Sequence, residues 1–120
     1  MRKTRTTNPE LIELINFLRK QTSESNSKIW RDIAERLAKP RSVRVAVNLS
    51  RLERYTEKSD IVAVPGKVLG TGEIGHPITV AAFAFSQKAK EKIHAERGKC
   101  ISFSELVKKN PTGSGVKIIG

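Results

Sequence analysis

The stretch ITVAAFAFSQKAKEKIHAERGKCI, residues 78–101, decides the fold class of this chain. It opens with a largely apolar segment from Ile78 to Phe85, which is typical of a buried strand. Ser86 then has the chemistry of a helix N-cap, and Gly98 follows as a stop signal for a helix over about 86–96. Residues 99–101 have the pattern of a short strand. A strand, a helix and a strand in close order predict a right-handed parallel crossover.

Shorter β segments are predicted on both sides of this stretch. Alternating valines over 43–47 indicate a half-buried strand, and residues 50–55 can add a helical turn. Residues 60–64 form a further candidate strand that Pro65-Gly66 closes, and residues 116–119 have the pattern of a last one. The serine and glutamate of residues 102–105 fit a capping box, which predicts a short helix ending near Asn110.

Two helices are predicted before residue 40. Asn8, Pro9 and Glu10 supply an N-cap, a first-turn proline and a first-turn carboxylate. The first helix is expected to end near Gln21, with Arg19 in water, and a polar loop follows at residues 22–27. The second is expected to stop before Pro40. Their apolar residues recur at three- and four-residue steps, as for buried stripes: Leu11, Ile12, Leu14, Ile15, Leu18, Ile29, Trp30, Ile33, Ala34 and Leu37.

The predicted architecture is therefore α/β. A helical hairpin at residues 8–39 packs on a compact, irregular β/α domain with short strands at residues 42–120. Residues 8–120 form a single domain, since 120 residues suffice for one core. Residues 1–7 are a basic arm.

Charge is the strongest functional signal. The chain holds 23 Lys and Arg against 12 Asp and Glu, a net charge of +11. Such an excess predicts attraction to a polyanion, most plausibly nucleic acid, although scattered charges are often only a solvated surface. Three clusters favour anion binding: an acid-free arm, a junction after the second helix, and the start of the third helix, where lysines oppose the helix dipole. They are Arg2, Lys3 and Arg5; Lys39, Arg41 and Arg44; and Lys88, Lys90 and Lys92.

The segment GTGEIG, residues 70–75, matches the glycine pattern of dinucleotide-binding loops. His76-Pro77 follow at once and the chain turns into a strand, so no helix start is present to receive a phosphate. The pattern therefore favours a turn in which each glycine takes a positive φ.

Other chemistry has little support in the sequence. Cys100 is the single cysteine, and the two histidines lie far apart, so neither a disulfide nor a zinc site is expected. His76, His94 and Cys100 show no catalytic spacing. Trp30 and Tyr55 sit among apolar helical positions and are expected to be in the core or partly buried instead of stacking on bases. The longest apolar run, residues 80–85, is too short to cross a bilayer, and no secretion signal is visible at residues 1–10.

Four ordered motifs carry a family resemblance: VNLSRL at residues 47–52, VPGKVLG at 64–70, TVAAF at 79–83 and NPTGSGV at 110–116. With Trp30 and residues 85–89, they resemble the archaeal large-subunit ribosomal proteins of the L-eighteen-e type, nearly end to end. That family is related to the C-terminal half of the bacterial ribosomal protein L-fifteen, with which it shares an irregular β/α fold.

The resemblance implies a cytoplasmic, non-catalytic constituent of the large ribosomal subunit that binds its RNA and neighbouring ribosomal proteins. It implies no cofactor, metal, membrane or small-molecule substrate. A free-standing DNA- or RNA-binding protein outside the ribosome remains the alternative. The matching stretches imply six basic residues as candidate RNA contacts: Lys39, Arg41, Arg44, Lys67, Lys88 and Lys90. Gly113 and Gly115 would let a mobile loop at 111–115 approach RNA closely. Charge alone adds the N-terminal arm, with Arg2, Lys3 and Arg5.

Overall fold

The computed structural model describes residues 8–39 and 45–120. Within them the predicted α/β class is confirmed, because helices alternate with the strands of one parallel sheet. The elements are α1 (Pro9–Ser25), α2 (Lys28–Leu37), β1 (Val45–Asn48), α3 (Leu49–Tyr55), β2 (Ile61–Leu69), β3 (Thr79–Phe85), α4 (Gln87–Ala95), β4 (Lys99–Ile101), α5 (Phe103–Lys109) and β5 (Val116–Ile118).

The described residues fall into two compact units. The first contains residues 8–39 and 104–114, and the second contains residues 45–103 and 115–120. Residues 104–114 therefore cluster with α1 and α2, whereas the sequence places them with the β/α residues. The single domain over 8–120 stays a prediction.

In the first unit, α1 and α2 pack against each other as the predicted hairpin. Asn8 caps α1 as expected, since its side chain accepts from the backbone N–H of Glu10 at 3.0 Å. The predicted end at Gln21 is wrong. The helix runs on to Ser25, whose hydroxyl donates back to the carbonyl of Gln21, and Asn26 ends it with φ of 54°.

The hairpin core uses most of the predicted stripe. Leu11, Ile15 and Leu18 of α1 are buried, as are the predicted residues of α2 except Ile29, which is half-buried. Arg19 is the exception to the predicted wet face, because only 11% of its side chain is exposed and it lies 3.7 Å from Glu35.

The second unit contains a five-stranded sheet whose described strand pairs are all parallel. Strand β2 is central, with β3 along one edge. The other edge is shared, because β5 pairs with its first residues and β1 with its last. The predicted crossover is confirmed as a parallel arrangement, since β3 and β4 pair in parallel on either side of α4 in the chain.

The predicted end of β2 at Pro65-Gly66 is wrong. The strand continues to Leu69, and its register with β3 shifts between Val64 and Lys67. This break in the register accommodates Pro65 inside the strand, because a proline without an N–H is tolerated where ladder pairing is interrupted.

One core joins the sheet to α3 and α4. Val62, Val64 and Val68 of β2 cluster with Leu52 of α3 and Ile93 of α4. These helices follow β1 and β3 directly, so each begins at the carboxyl edge of the sheet. None of the helices in the described part of the chain is long and apolar enough to cross a membrane.

Candidate nucleic-acid interface

Lys67 stands on an open part of the sheet. Its register partners are Ala46 on β1 and Ala84 on β3, so a methyl group flanks it on each side. Lys67 and Ala46 are exposed, and Lys67 makes no ion pair with the described residues. Because side chains alternate along a strand, Lys67 points away from the core face that Val68 occupies. The ammonium group is therefore accessible to a phosphate.

Lys88 and Lys90 are both exposed at the start of α4, but they lie on different sides of it. Lys88 adjoins the end of β2, since a Cβ built on Gly70 would lie 2.6 Å from its Cβ. Lys90 lies towards β4. Burial raises the pKa of the Cys100 thiol there, and the charge of Lys90 opposes that rise. The two lysines therefore present their positive charges on two separate sides of α4.

Lys92 has internal partners, so the expectation of an external anion is wrong for this lysine. Its ammonium donates to the carbonyl of Gly70 at 3.0 Å and to that of Gly72 at 2.7 Å. It also lies 3.1 Å from a carboxylate oxygen of Glu73. Lys92 therefore fastens the glycine turn to α4.

The glycine segment is a turn, but only Gly72 of its three glycines has a positive φ, at 93°. Gly72 lies so close to α3 that a Cβ there would come within 2.7 Å of the backbone nitrogen of Ser50. The expectation of a positive φ is wrong for Gly70 and Gly75. The turn is thus closed by contact with α3 and α4.

In the first unit, Lys39 is exposed just beyond the end of α2, and its backbone N–H donates to the carbonyl of Arg36 at 3.4 Å. It makes no ion pair with the described residues. The other predicted cations lie outside the described residues: Arg2, Lys3, Arg5, Arg41 and Arg44.

The turn at residues 110–115, which the sequence predicts as a mobile loop, accepts two hydrogen bonds from side chains at the start of α2. Trp30 donates its indole N–H to the carbonyl of Pro111 at 2.7 Å, and the Ser27 hydroxyl donates to the carbonyl of Thr112 at 2.6 Å. Gly113 is buried, with φ of 69°, and a Cβ there would collide with Ile29. Gly115 has φ of 77° and is exposed, with open space around it.

Comparison with known proteins decides the family. The family model for "Ribosomal protein 60S L18 and 50S L18e" matches residues 2–120. The chain belongs to this family. It is 45% identical over 115 residues to the large ribosomal subunit protein eL18 of Archaeoglobus fulgidus, covering 96% of this chain and 98% of that protein. It is 44% identical over 119 residues to the eL18 proteins of Methanococcus maripaludis and Methanothermobacter thermautotrophicus, covering 99% of this chain and 99% and 98% of those proteins.

The structure of this L18e-family chain adds basic residues that the sequence did not single out. Lys28 and Arg31 are exposed in the first turns of α2, and Lys108 and Lys109 are exposed in the last turn of α5. The bonds of Ser27 and Trp30 to the 110–115 turn join these two helix ends. The sequence held one signal for this contact between the two helix ends. It was the indole N–H of Trp30, because a buried indole usually finds a hydrogen-bond acceptor.

Tyr55 is far more exposed than Trp30, although the sequence predicts a core or partly buried position for both. Its side chain is 52% exposed, whereas Trp30 is fully buried as expected. The guanidinium carbon of Arg51 lies 5.4 Å from the ring centroid. Arg54 beside it is exposed as well. The outer side of α3 is thus a basic surface with one aromatic ring.

His76 sits in a chain of hydrogen bonds that ties α3 to the 70–78 loop. Its Nε2 lies 2.8 Å from the Thr56 hydroxyl oxygen, and its Nδ1 lies 3.0 Å from a carboxylate oxygen of Glu53. The hydroxyl donates to the carbonyl of Leu52 at 2.6 Å, and only 7% of Thr56 is exposed. The Thr56 hydroxyl is therefore used within the fold, and the cluster of Glu53, Thr56 and His76 holds α3 against the loop.

Residues 8–39 and 45–120 contain no group of three or more side chains suited to a metal ion.

Proposed function

We propose that this protein is a structural constituent of the large ribosomal subunit, where it binds the large-subunit RNA and contacts neighbouring ribosomal proteins. In this proposal the protein is located in the cytoplasm as part of the ribosome, and its role is structural and not catalytic. The observation that supports RNA binding is a set of positively charged side chains without acidic partners among the described residues. Lys39, Lys67, Lys88 and Lys90 are exposed and make no ion pair with the described residues.

Unpaired lysines on folded elements are suited to the phosphate backbone. Each contact releases condensed counterions from the RNA, which supplies affinity without reading the sequence. The residues directly beside Lys67 on the two neighbouring strands are alanines, so neither places a bulky side chain between Lys67 and a phosphate. A-form RNA helices are recognised mainly by shape and backbone, so cations on separate surfaces can hold RNA helices against one another.

The sharpest test is sedimentation of the native protein. Cell extract is run on a sucrose gradient, first with intact ribosomes and then at low magnesium, which separates the subunits. We expect this chain in the large-subunit peak at a stoichiometry of about one per subunit, judged against other ribosomal proteins. A free-standing nucleic-acid-binding protein would sediment near the top of the gradient or lose its stoichiometry at the split, and that result would overturn the proposal.

A further inference from the structure

The ring of Tyr55 is exposed without a partner for its polar end. It is the last residue of α3, with 52% of its surface open, and its hydroxyl makes no hydrogen bond to the described residues. Arg51, one turn earlier, places its guanidinium near the ring at 5.4 Å from the centroid. The guanidinium thus covers one face of the ring, and a ligand would stack on the other face.

The element that presents this ring is fixed. Leu49 and Leu52 of α3 are fully buried in the core of the second unit. Just past the helix, the Thr56 hydroxyl donates to the carbonyl of Leu52 and contacts His76. A ring on such a support loses little conformational freedom when a ligand stacks on it.

The charges around the ring favour an anionic ligand. Glu53, the acidic residue of α3, is turned towards the 70–78 loop, where it accepts from the backbone N–H of Gly75 at 3.1 Å and pairs with His76. Arg54 and Lys58 are exposed and make no ion pair with the described residues, and together with Arg51 they outweigh the exposed Glu57. The surface thus combines a stacking plane with cations for the adjoining phosphates.

We infer that Tyr55, supported by Arg51, stacks on an unpaired base of the large-subunit RNA. The bases of a continuous RNA duplex have their faces covered by one another, so an aromatic ring can stack only on a base in a loop, a bulge or a strand end. Arginine planes and aromatic rings are the side chains that stack on such bases. The inference rests on the proposed RNA binding and adds the class of RNA element that this surface recognises.

Phe17 provides a matched control on the other unit. It is also exposed, at 37%, and lies in a helix. The nearby Lys20 already pairs with Glu24 at 3.9 Å, so no unpaired cation stands one turn away on α1. The same surface property, an exposed ring, is thus present there without the charges that suit RNA.

The experiment compares Tyr55→Leu, Tyr55→Phe and Phe17→Leu with the wild type in the full chain. Affinity for protein-free large-subunit RNA of the source organism is measured by filter binding across a range of salt concentrations, with melting temperature as a check on folding. We expect Tyr55→Leu to weaken binding roughly tenfold, as for the loss of one base stack, and Tyr55→Phe to stay within about twofold. The salt slope stays constant because no charge is removed. Phe17→Leu binds as the wild type does.

The remaining outcomes separate this inference from the proposed function. If Tyr55→Leu binds RNA as tightly as the wild type while binding stays salt-dependent, the stacking is wrong and the RNA binding stands. If Tyr55→Phe is as weak as Tyr55→Leu, the hydroxyl makes the contact and stacking is overturned. Each variant is also produced in the cell and followed on the sucrose gradient. If Tyr55→Leu keeps its RNA affinity but is missing from the large-subunit peak, the ring docks on a protein instead. If the wild type does not bind the RNA, the proposed RNA binding fails and the stacking fails with it.

Discussion

Ile33 lies in the middle of α2 with none of its side chain exposed. Replacing it by alanine removes buried methylene and methyl groups and leaves a cavity, so we expect the free energy of unfolding to fall by about 2 to 5 kcal/mol. Urea unfolding followed by circular dichroism measures this. The control is Arg31→Ala in the same helix, which is exposed and should change stability by less than about 0.5 kcal/mol. Equal stability of the two variants would show that Ile33 is not part of a packed core.

Gly113 and Gly115 form a natural pair for testing the anchored turn. Both have a positive φ, but a Cβ at Gly113 would strike Ile29, whereas a Cβ at Gly115 would meet open space. Alanine at either site adds about 1 to 2 kcal/mol of backbone strain, and only Gly113→Ala adds the collision. We therefore expect Gly113→Ala to lower the melting temperature more than Gly115→Ala does.

A partial rescue of Gly113→Ala by Ile29→Ala would locate the collision. The same variants test the RNA contact predicted for these glycines. A drop in RNA affinity in Gly115→Ala at unchanged stability would support that contact, and unchanged affinity would argue against it.

The two large aromatic residues show what the sequence could and could not predict for single side chains. Trp30 lies in a ten-residue helix whose apolar positions repeat over several turns, so its buried side is readable from the sequence. Tyr55 ends a seven-residue helix, which is too short for a period to be read, and its neighbours do not reveal which side faces the core. The exposure of Tyr55 therefore depends on how α3 packs on the sheet, which the local sequence does not determine.

The ion pair between Asp60 and Lys117 ties β5 to the start of β2. The Lys117 ammonium donates to a carboxylate oxygen of Asp60 at 2.8 Å, and the backbone N–H of Glu57 donates to the same oxygen at 2.7 Å. These hydrogen bonds, from Lys117 first and Glu57 second, hold the pKa of Asp60 below its usual value of 3.8. The same ion pair raises the pKa of Lys117 above 10.5.

The pH dependence follows from the direction of these pKa shifts. A carboxyl group with a lowered pKa in the folded state stabilises the fold above its usual pKa, and that contribution is lost as the pH falls through the folded value. A lysine with a raised pKa contributes below its usual pKa and loses that contribution at more alkaline pH. We expect Asp60→Asn to be less stable than the wild type near pH 7 and the difference to shrink below pH 3.8.

Urea unfolding at several pH values measures this difference. Asp32→Asn is a control, because the Asp32–Arg36 pair lies within one helix and ties no strands together. A difference between Asp60→Asn and the wild type that stays constant from neutral pH down to well below the usual pKa of Asp60 would contradict the shift.

The elements were predictable where local patterns decide them and less so where tertiary pairing does. The apolar run of β3, the cap of α4 at Ser86 and the short β4 all follow from neighbouring residues, and Ser86 does accept from the backbone N–H of Ala89. The extension of β2 beyond Pro65 does not, because it depends on pairing with β1, whose Val45 lies opposite Gly66. The extra turn of α1 likewise depends on the hydroxyl groups of Thr22 and Ser25, which donate back to carbonyl groups of the helix. From its composition alone, this polar segment is predicted to be a loop.

Across the whole molecule, two groups of basic residues differ in what surrounds their charge. Lys67 and Lys88 are exposed and unpaired among the described residues, whereas Lys20 and Arg36 pair with acids one turn away. We expect the double variant Lys67→Gln, Lys88→Gln to lower the slope of log affinity against log salt by about 2, because each lysine neutralises one phosphate. The double variant Lys20→Gln, Arg36→Gln changes net charge equally and should alter the slope less. If the two double variants have equal salt slopes, net charge alone determines the salt dependence, and Lys67 and Lys88 make no specific phosphate contacts.

The shared edge of β2 also bears on how the chain reaches its fold. Ile61 pairs with Val116, so closing this edge joins segments that are far apart in the sequence, and such closure is slow. Until β5 arrives, the first half of a strand rich in valine keeps an unpaired row of backbone groups, which invites pairing between copies. Refolding at high concentration should therefore produce aggregates in competition with the native state, and a Val116→Pro variant, which weakens the late pairing, should aggregate more.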